Sequence, residues 1–150
     1  SSGACFPESL LDTRICYADL KKNGLSLGSG AVLVVDDSNC PVDYLKAIME
    51  FFEEESCGKC TPCREGNQRM VEILEKLTEG RGTLEDIKRL KSLAQTMKTT
   101  SFCGLGQSAP VPVITLLKYF EDEFKAHVEG KCTAGKCSFG VHSMKGKGVN

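Results

Sequence analysis

The sequence predicts a mainly α-helical chain built on a four-helix bundle at 41–128, preceded at 1–40 by a segment with one short strand and followed at 129–150 by an irregular tail with cysteines and histidines. Three observations predict this class. Apolar residues recur at intervals of three to four over most of 41–128. The loops between these periodic stretches are short, as expected of helices that pack against their chain neighbours. The flanking segments lack a helical period and are rich in turn signals or glycine.

The segment at 1–40 predicts one short strand. Turn signals occur at 23–24, Asn-Gly, and at 28–30, Gly-Ser-Gly. The apolar run Ala-Val-Leu-Val-Val follows at 31–35 and is closed by two aspartates. A short β-branched run between turn signals is typical of a strand bounded by loops.

The first two predicted helices flank a cysteine-rich loop. The first begins at Pro41, buries residues such as Leu45 and Phe52, and ends in the acidic run at 53–55. The second begins near Arg64 and is stopped by Gly80.

The starts of the other two predicted helices are marked by a cap and by two prolines. Thr83 and Asp86 resemble an N-terminal cap for the third helix, which continues to Met97. Prolines at 110 and 112 fit only the entry of a helix, and the apolar period then continues to about Gly130.

Four cysteines predict an iron–sulfur site. Cys57, Cys60 and Cys63 lie on one loop at intervals of three, and Cys103 follows in Phe-Cys-Gly-Leu-Gly. Three thiolates at this interval can bind three irons of a [4Fe–4S] cube, while the fourth iron takes a thiolate from elsewhere. The helix pair between Cys63 and Cys103 returns the chain to its start. Structural zinc on these cysteines is the alternative, although zinc sites usually consist of two separated pairs.

A second candidate metal site lies in the tail, where four residues follow one another at intervals of five: His127, Cys132, Cys137 and His142. Two cysteines and two histidines are a permissible zinc set, although this spacing is not the common zinc-finger pattern. The alternative is that the histidine at 127 closes the last helix and both cysteines are free thiols. The remaining cysteines share no ligand spacing, and we interpret them as small buried hydrophobic residues: Cys5, Cys16 and Cys40.

Composition excludes several classes of function. Basic residues (19) and acidic residues (20) nearly balance, which argues against nucleic acid as a partner. No apolar run approaches the roughly 18 residues that span a bilayer, so we expect no membrane insertion. Nine cysteines, an odd number that includes a close triple, favour metal binding over disulfides and predict a reducing, cytoplasmic compartment. No catalytic triad, carboxylate pair or phosphate loop is present, and we predict no catalytic residue.

Two long motifs carry a family resemblance. The stretches Glu-Ser-Cys-Gly-Lys-Cys-Thr-Pro-Cys-Arg-Glu-Gly at 55–66 and Ser-Phe-Cys-Gly-Leu-Gly-Gln-Ser-Ala-Pro at 101–110 closely resemble the C-terminal part of the NADH-binding flavoprotein subunit of respiratory complex I. They are similar also to the corresponding subunits of NAD(P)-linked and electron-bifurcating hydrogenases and of NAD-dependent formate dehydrogenases. Residues 7–13 and 28–31 resemble the end of that family's soluble-ligand-binding β-grasp domain, which makes 1–40 a partial β-grasp segment.

The resemblance implies a place in an electron-transfer chain. It implies that Cys57, Cys60, Cys63 and Cys103 hold a [4Fe–4S] cluster that takes electrons from FMN reduced by NAD(P)H. The implied partners are a flavin- and NADH-binding segment or chain, a [2Fe–2S] centre and other iron–sulfur subunits of a multisubunit oxidoreductase. The Gly-rich region that binds FMN and NADH in the family is not among these residues, so this chain alone is not expected to oxidise NADH.

The tail carries one further resemblance. The segment Lys-Cys-Thr-Ala-Gly-Lys-Cys at 131–137 resembles a Cys-Pro-Ala-Gly-x-Cys linker of some bifurcating relatives, with Thr133 in place of proline. This similarity favours the hydrogenase branch. The alternative function for the whole chain is a zinc-stabilised structural or interaction domain without redox activity.

Overall fold

The computed structural model describes residues 3–25, 27–137 and 139 of the chain. Within these residues the helices are α1 (Tyr17–Lys22), α2 (Pro41–Glu54), α3 (Thr61–Thr78), α4 (Leu84–Thr100), α5 (Gly104–Ser108), α6 (Pro110–Tyr119) and α7 (Glu121–Val128). A single 3₁₀ turn, Glu8–Leu10, precedes them. The predicted mainly helical class is confirmed.

Four of the helices close a bundle. Helix α2 contacts α3 and α6, and helix α4 contacts the same two, so the four surround one core. Helix α7 packs against α3, α6, α2 and α4. The side chains that lose almost all solvent contact include Val42, Leu45, Met49, Met70, Leu74, Leu77, Leu90, Met97, Val113 and Phe124. Burial of these apolar side chains is the main stabilising contribution to the bundle.

Two predicted helix starts, at Pro41 and after Thr83, are confirmed, and so is the cap predicted at Thr83 and Asp86. The sulfur of Cys40 accepts the N–H of Asp43 at 3.5 Å at the start of α2, where Pro41 occupies the first turn. At the start of α4, the Asp86 carboxylate accepts the N–H of Thr83 at 3.0 Å, and the Thr83 hydroxyl oxygen accepts the N–H of Asp86 at 3.2 Å. Reciprocal bonds of this kind satisfy two backbone donors that the helix leaves unpaired.

Two boundaries differ from the prediction. Helix α3 begins at Thr61 rather than near Arg64, so Cys63 lies in its first turn. The single helix predicted from Pro110 to Gly130 is two helices, α6 and α7, because Phe120 leaves the helical conformation at φ −131°. The apolar period continues unbroken through Phe120, and periodicity alone therefore does not reveal the break.

The strand predicted at 31–35 is not formed, and the described residues contain no strand. Val32, Leu33 and Val34 are 68%, 68% and 88% exposed. A strand needs a neighbouring strand to pair its backbone groups, and none is present within the described residues. The partial β-grasp segment stays a prediction. No helix in the described part of the chain is long and apolar enough to cross a membrane.

Candidate metal centres

The loop between α2 and α3 presents three cysteines beside a helix N-terminus. Cys60 is the N-cap of α3, and Cys63 lies in its first turn. Gly58 turns the loop with φ +71°, a conformation that favours glycine. The Arg64 guanidinium donates to the carbonyl of Gly58 at 2.5 Å and so ties the loop to the helix. This arrangement places free N–H groups and the positive end of the α3 dipole beside the sulfurs.

The segment that carries Cys103 packs directly against this loop. The backbone N–H of Phe102 donates to the sulfur of Cys60, and this hydrogen bond is the main cause that lowers the pKa of the Cys60 thiol below its usual value. Gly106 lies against Cys63, so closely that an added Cβ would come within 3.1 Å of the Cys63 Cβ. The bundle therefore returns the Cys103 segment to the three-cysteine loop, as its topology predicts.

Polar side chains surround the sulfur of Cys63. The Asn67 amide donates to that sulfur at 3.5 Å and to the carbonyl of Phe52 at 3.1 Å. The hydroxyl oxygen of Ser56 lies 3.4 Å from the same sulfur. The buried hydroxyl of Ser101 has no hydrogen-bond partner in the described part of the chain, although it lies beside Gly106. An unpaired buried donor at this place fits an acceptor-rich group such as a metal–sulfide cluster.

Burial differs among the four predicted cluster ligands. Cys60 and Cys63 are buried, whereas Cys57 and Cys103 are exposed. The site therefore has a closed inner side against the bundle and an open outer side. Phe102, which is 87% exposed, lies on the open side next to Cys103 in the chain.

A second group of ligands is more compact and lies elsewhere. It consists of Cys40, His127, Cys132 and Cys137, whose ligand atoms all lie within 4.8 Å of one another. The Nε2 atom of His127 is 3.1 Å from the sulfur of Cys40 and 3.3 Å from that of Cys137. The two sulfurs are 3.6 Å apart. Three parts of the chain meet here: the start of α2, helix α7 and the tail.

The ring of His127 is held in one orientation. Its Nδ1–H donates to the carbonyl of Glu123 at 2.7 Å, since a carbonyl oxygen can only accept. In a neutral imidazole the lone pair is then on Nε2, the atom that faces the sulfurs. The ring is completely buried and makes an edge-on contact with Phe139 at 5.5 Å between centroids.

The thiols of this group experience opposing effects. Burial raises the pKa of Cys40 and of Cys137. Burial also acts to raise the pKa of Cys132, but hydrogen bonds from the backbone N–H groups of Cys137 and Lys136 outweigh it and lower that pKa. Buried thiols with raised pKa values favour the neutral form unless a cation compensates for the lost hydration.

The structure brings together three of the four residues predicted for the tail site, and their metal-binding role stays a prediction. His127, Cys132 and Cys137 lie together, while His142 lies outside the described residues and its ligand role stays a prediction. Cys40, expected from the sequence to be a small buried hydrophobic residue, is the fourth member. Its position directly before Pro41, at the start of a helix, is the one signal in the sequence that could have indicated it, because thiolates are favoured at helix N-termini.

Comparison with known proteins identifies the family. Residues 43–127 match the family described as the NADH-ubiquinone oxidoreductase-F iron-sulfur binding region. The chain is 42% identical over 138 residues to the NADP-reducing hydrogenase subunit HndC of Solidesulfovibrio fructosivorans, covering 91% of this chain and 28% of the relative. It is 40% identical over 139 residues to an NADH-quinone oxidoreductase subunit of Mycobacterium tuberculosis, covering 93% of this chain and 30% of the relative.

A solved structure agrees with these sequence matches. The crystal structure of an NAD+-reducing [NiFe]-hydrogenase in the H2-reduced state superposes with a TM-score of 0.60 at 38% identity. The match covers 63% of this chain and 16% of that chain. The present chain thus spans less than a third of the length of the two curated relatives above. Because the matched region covers more than half of the chain and includes all four predicted cluster cysteines, the chain belongs to the family of the NADH-ubiquinone oxidoreductase-F iron–sulfur binding region.

Proposed function

We propose that this chain transfers electrons through a [4Fe–4S] cluster bound by Cys57, Cys60, Cys63 and Cys103, as part of a multisubunit NAD(P)H-linked oxidoreductase. The observation that carries the proposal is the contact between the two cysteine segments. Phe102 donates to the sulfur of Cys60, which brings the segment of the distant fourth cysteine onto the loop of the other three. When bound, the cluster supplies a one-electron redox couple.

The residues around the loop suit the binding of an anionic cluster. A lowered pKa at Cys60 favours the thiolate, which is the form that binds iron. The positive end of the α3 dipole lies at the sulfurs, and the amide of Asn67 donates a hydrogen bond to the sulfur of Cys63. Such hydrogen bonds raise the stability of the reduced, more negative state and so set the reduction potential.

The open side of the site supports exchange of electrons with a neighbouring protein. Cys57, Phe102 and Cys103 are exposed there, so a partner cofactor can approach without crossing the bundle. We propose that the donor is an FMN reduced by NADH or NADPH on a neighbouring segment or chain, and that the acceptors are further iron–sulfur centres. Relatives of the chain are named as a hydrogenase subunit and as a quinone oxidoreductase subunit, which supports a place in a complex of either kind. A reducing, cytoplasmic compartment suits these thiolates.

The test is anaerobic reconstitution of the 150-residue chain with iron and sulfide. We expect a broad visible absorption band that bleaches with dithionite, and an electron paramagnetic resonance signal from the reduced cluster. Cys103→Ala is expected to lose the cluster, whereas Cys16→Ala, at an exposed cysteine that precedes α1, is the matched control and should retain it. NADH alone should not reduce the chain.

The alternative, a structural zinc domain on the same four cysteines, makes a different prediction. It requires a colourless protein with zinc at these sulfurs and no paramagnetic signal after reduction. That result, or full retention of the cluster in Cys103→Ala, would contradict the proposed function.

A further inference from the structure

The geometry of Cys40, His127, Cys132 and Cys137 matches the requirements of one tetrahedral ion. With zinc–sulfur and zinc–nitrogen bonds of about 2.3 and 2.1 Å, a tetrahedral site places its sulfurs about 3.8 Å apart and each sulfur about 3.6 Å from the nitrogen. The measured separations among these atoms, from 3.1 to 3.6 Å for the three pairs in contact, lie close to those values. The whole set fits within 4.8 Å, which leaves space for one ion and not for a metal–sulfide cube.

The surroundings of the four ligands resemble those of a built metal site. The hydrogen bond from Nδ1 of His127 to the carbonyl of Glu123 is the kind of outer contact that fixes a metal-binding histidine. Cys40 accepts the N–H of Asp43, and Cys132 accepts two backbone N–H groups. Each of these bonds favours the thiolate form that a metal requires.

Hydrogen bonding among protonated groups explains the arrangement less well. Three thiols carry three S–H donors, whereas the unprotonated Nε2 of His127 offers one lone pair. A single imidazole can therefore accept from only one of the sulfurs that converge on it. The remaining donors must use sulfur, a weak acceptor, as Cys137 does when it donates to Cys40. A bound cation satisfies all the ligands at once and compensates for their burial.

We propose that Cys40, His127, Cys132 and Cys137 bind one zinc ion that fastens the tail at 131–137 to helix α7 and to the start of α2. A closed, four-ligand set of three sulfurs and one nitrogen is typical of structural zinc, because no position remains open for a substrate. The contact of Phe139 with the ring of His127, and its close packing on Gly80 after α3, continue the same attachment of the tail.

This zinc is separate from the cluster site. Cys40 stands at the start of α2 and the cluster loop follows its end, and the 14 residues between correspond to about 21 Å of helix. The two sites share no ligand. Three of the four zinc ligands, at positions 40, 132 and 137, also lie outside the residues 43–127 that match the family. The inference therefore does not rest on the proposed electron transfer.

The decisive measurement is X-ray absorption at the zinc K-edge on the full 150-residue chain. The protein is expressed in medium that contains both iron and zinc, and it is purified without chelator. This edge is selective for zinc even when iron is present. We expect about one zinc per chain, with three sulfurs at about 2.3 Å and one nitrogen at about 2.0–2.1 Å. Absence of zinc would overturn the proposal, as would a first shell of four sulfurs or one dominated by oxygen, since neither can come from this set.

Variants then assign the ligands. Cys40→Ser is expected to lower the zinc content by about tenfold or more at unchanged iron content, because a closed site loses one of its four ligands. Cys16→Ser is the matched control, at an exposed cysteine outside both groups, and should keep its zinc. Stoichiometric zinc with an unchanged first shell in Cys40→Ser would contradict the assignment. If Cys40→Ser does not fold, the first shell of the unaltered chain still decides the proposal.

Discussion

The two cysteine groups lie at opposite ends of α2 and differ in almost every property. The cluster cysteines come from one loop and one returning segment, and two of the four are exposed. The second group draws on three parts of the chain, and its four members are buried or half-buried within 4.8 Å. A partly exposed site suits the proposed cluster, which would exchange electrons with a neighbour. A closed, compact site suits an ion that holds structure together and never meets a substrate.

The two groups also differ in the contacts that hold them in place. The cluster loop is fixed from one side by the bundle, through the amide of Asn67 and the close approach of Gly106 to Cys63. The second group is buried against the bundle and beside Phe139. The tail is also tied to α7 by a hydrogen bond from the Thr133 hydroxyl to the Glu123 carboxylate at 2.6 Å. The proposed zinc would add metal–ligand bonds to these contacts.

The largest expected effect is a selective loss of one metal when a cysteine of one group is replaced. Cys60→Ser should lose nearly all the iron and keep the zinc, because the two sites share no ligand. Cys137→Ser should lose nearly all the zinc and keep the iron. Iron, sulfide and zinc analysis of both variants measures the effect, with circular dichroism to confirm that each variant is folded. Loss of both metals in either folded variant would show that the groups depend on each other and would break the comparison.

A smaller effect is expected where the cluster segment meets the loop. In Gly106→Ala the new Cβ would lie 2.7 Å from the side chain of Ser101 and 3.1 Å from the Cβ of Cys63. Neither neighbour is the far end of a flexible chain, so the contact must be relieved by moving the backbone. We expect the free energy of unfolding to fall by about 1–3 kcal/mol, as for other overpacked interiors. Chemical denaturation of the metal-loaded chain measures this change.

Gly104→Ala is the matched control for that prediction. It lies two residues away on the same short helix, and no atom comes within 4 Å of its added Cβ. Its stability should be unchanged or slightly increased, because alanine favours a helix over glycine by about 1 kcal/mol. Equal effects of the two substitutions would show that the packing of the segment on Cys63 does not matter.

The contrast between the groups also explains what the sequence could predict. The triple at 57–63 is local, so its intervals of three are visible in the sequence and predict a ligand pattern without a structure. The helices are predictable because burial of one face imposes a period, and the cap of Thr83 and Asp86 marks a start. In contrast, Cys40 is separated from His127 by 87 positions and from Cys137 by 97. No local pattern connects residues so distant, and only the packing of α7 against α2 brings them together.

Two other differences have physical causes of the same kind. The helix break at Phe120 is hidden in the sequence because this residue packs against the core and keeps the apolar period intact across the break. The strand at 31–35 is predicted from a local β-branched run, but strand formation depends on a partner that the described residues do not supply. For the strand, a long-range requirement therefore outweighs the local pattern.

The smallest expected effect concerns Ser101, whose buried hydroxyl has no hydrogen-bond partner in the described part of the chain. If this hydroxyl donates to a sulfur of the bound cluster, it stabilises the reduced state, which carries one more negative charge. Ser101→Ala should then lower the reduction potential by about 40 mV, since a net hydrogen bond of about 1 kcal/mol corresponds to that shift for one electron. Potentiometric titration followed by electron paramagnetic resonance measures the shift.

Ser92→Ala, at an exposed serine on α4, is the matched control and should leave the reduction potential unchanged. An unchanged potential in Ser101→Ala, with the cluster fully retained, would mean that the hydroxyl does not reach the cluster. The comparison predicts further that neither substitution changes the zinc content, because Ser101 lies in the segment that packs on the cluster loop, at the far end of α2 from Cys40. Zinc loss in Ser101→Ala would instead show that the two ends of the bundle are coupled through α2.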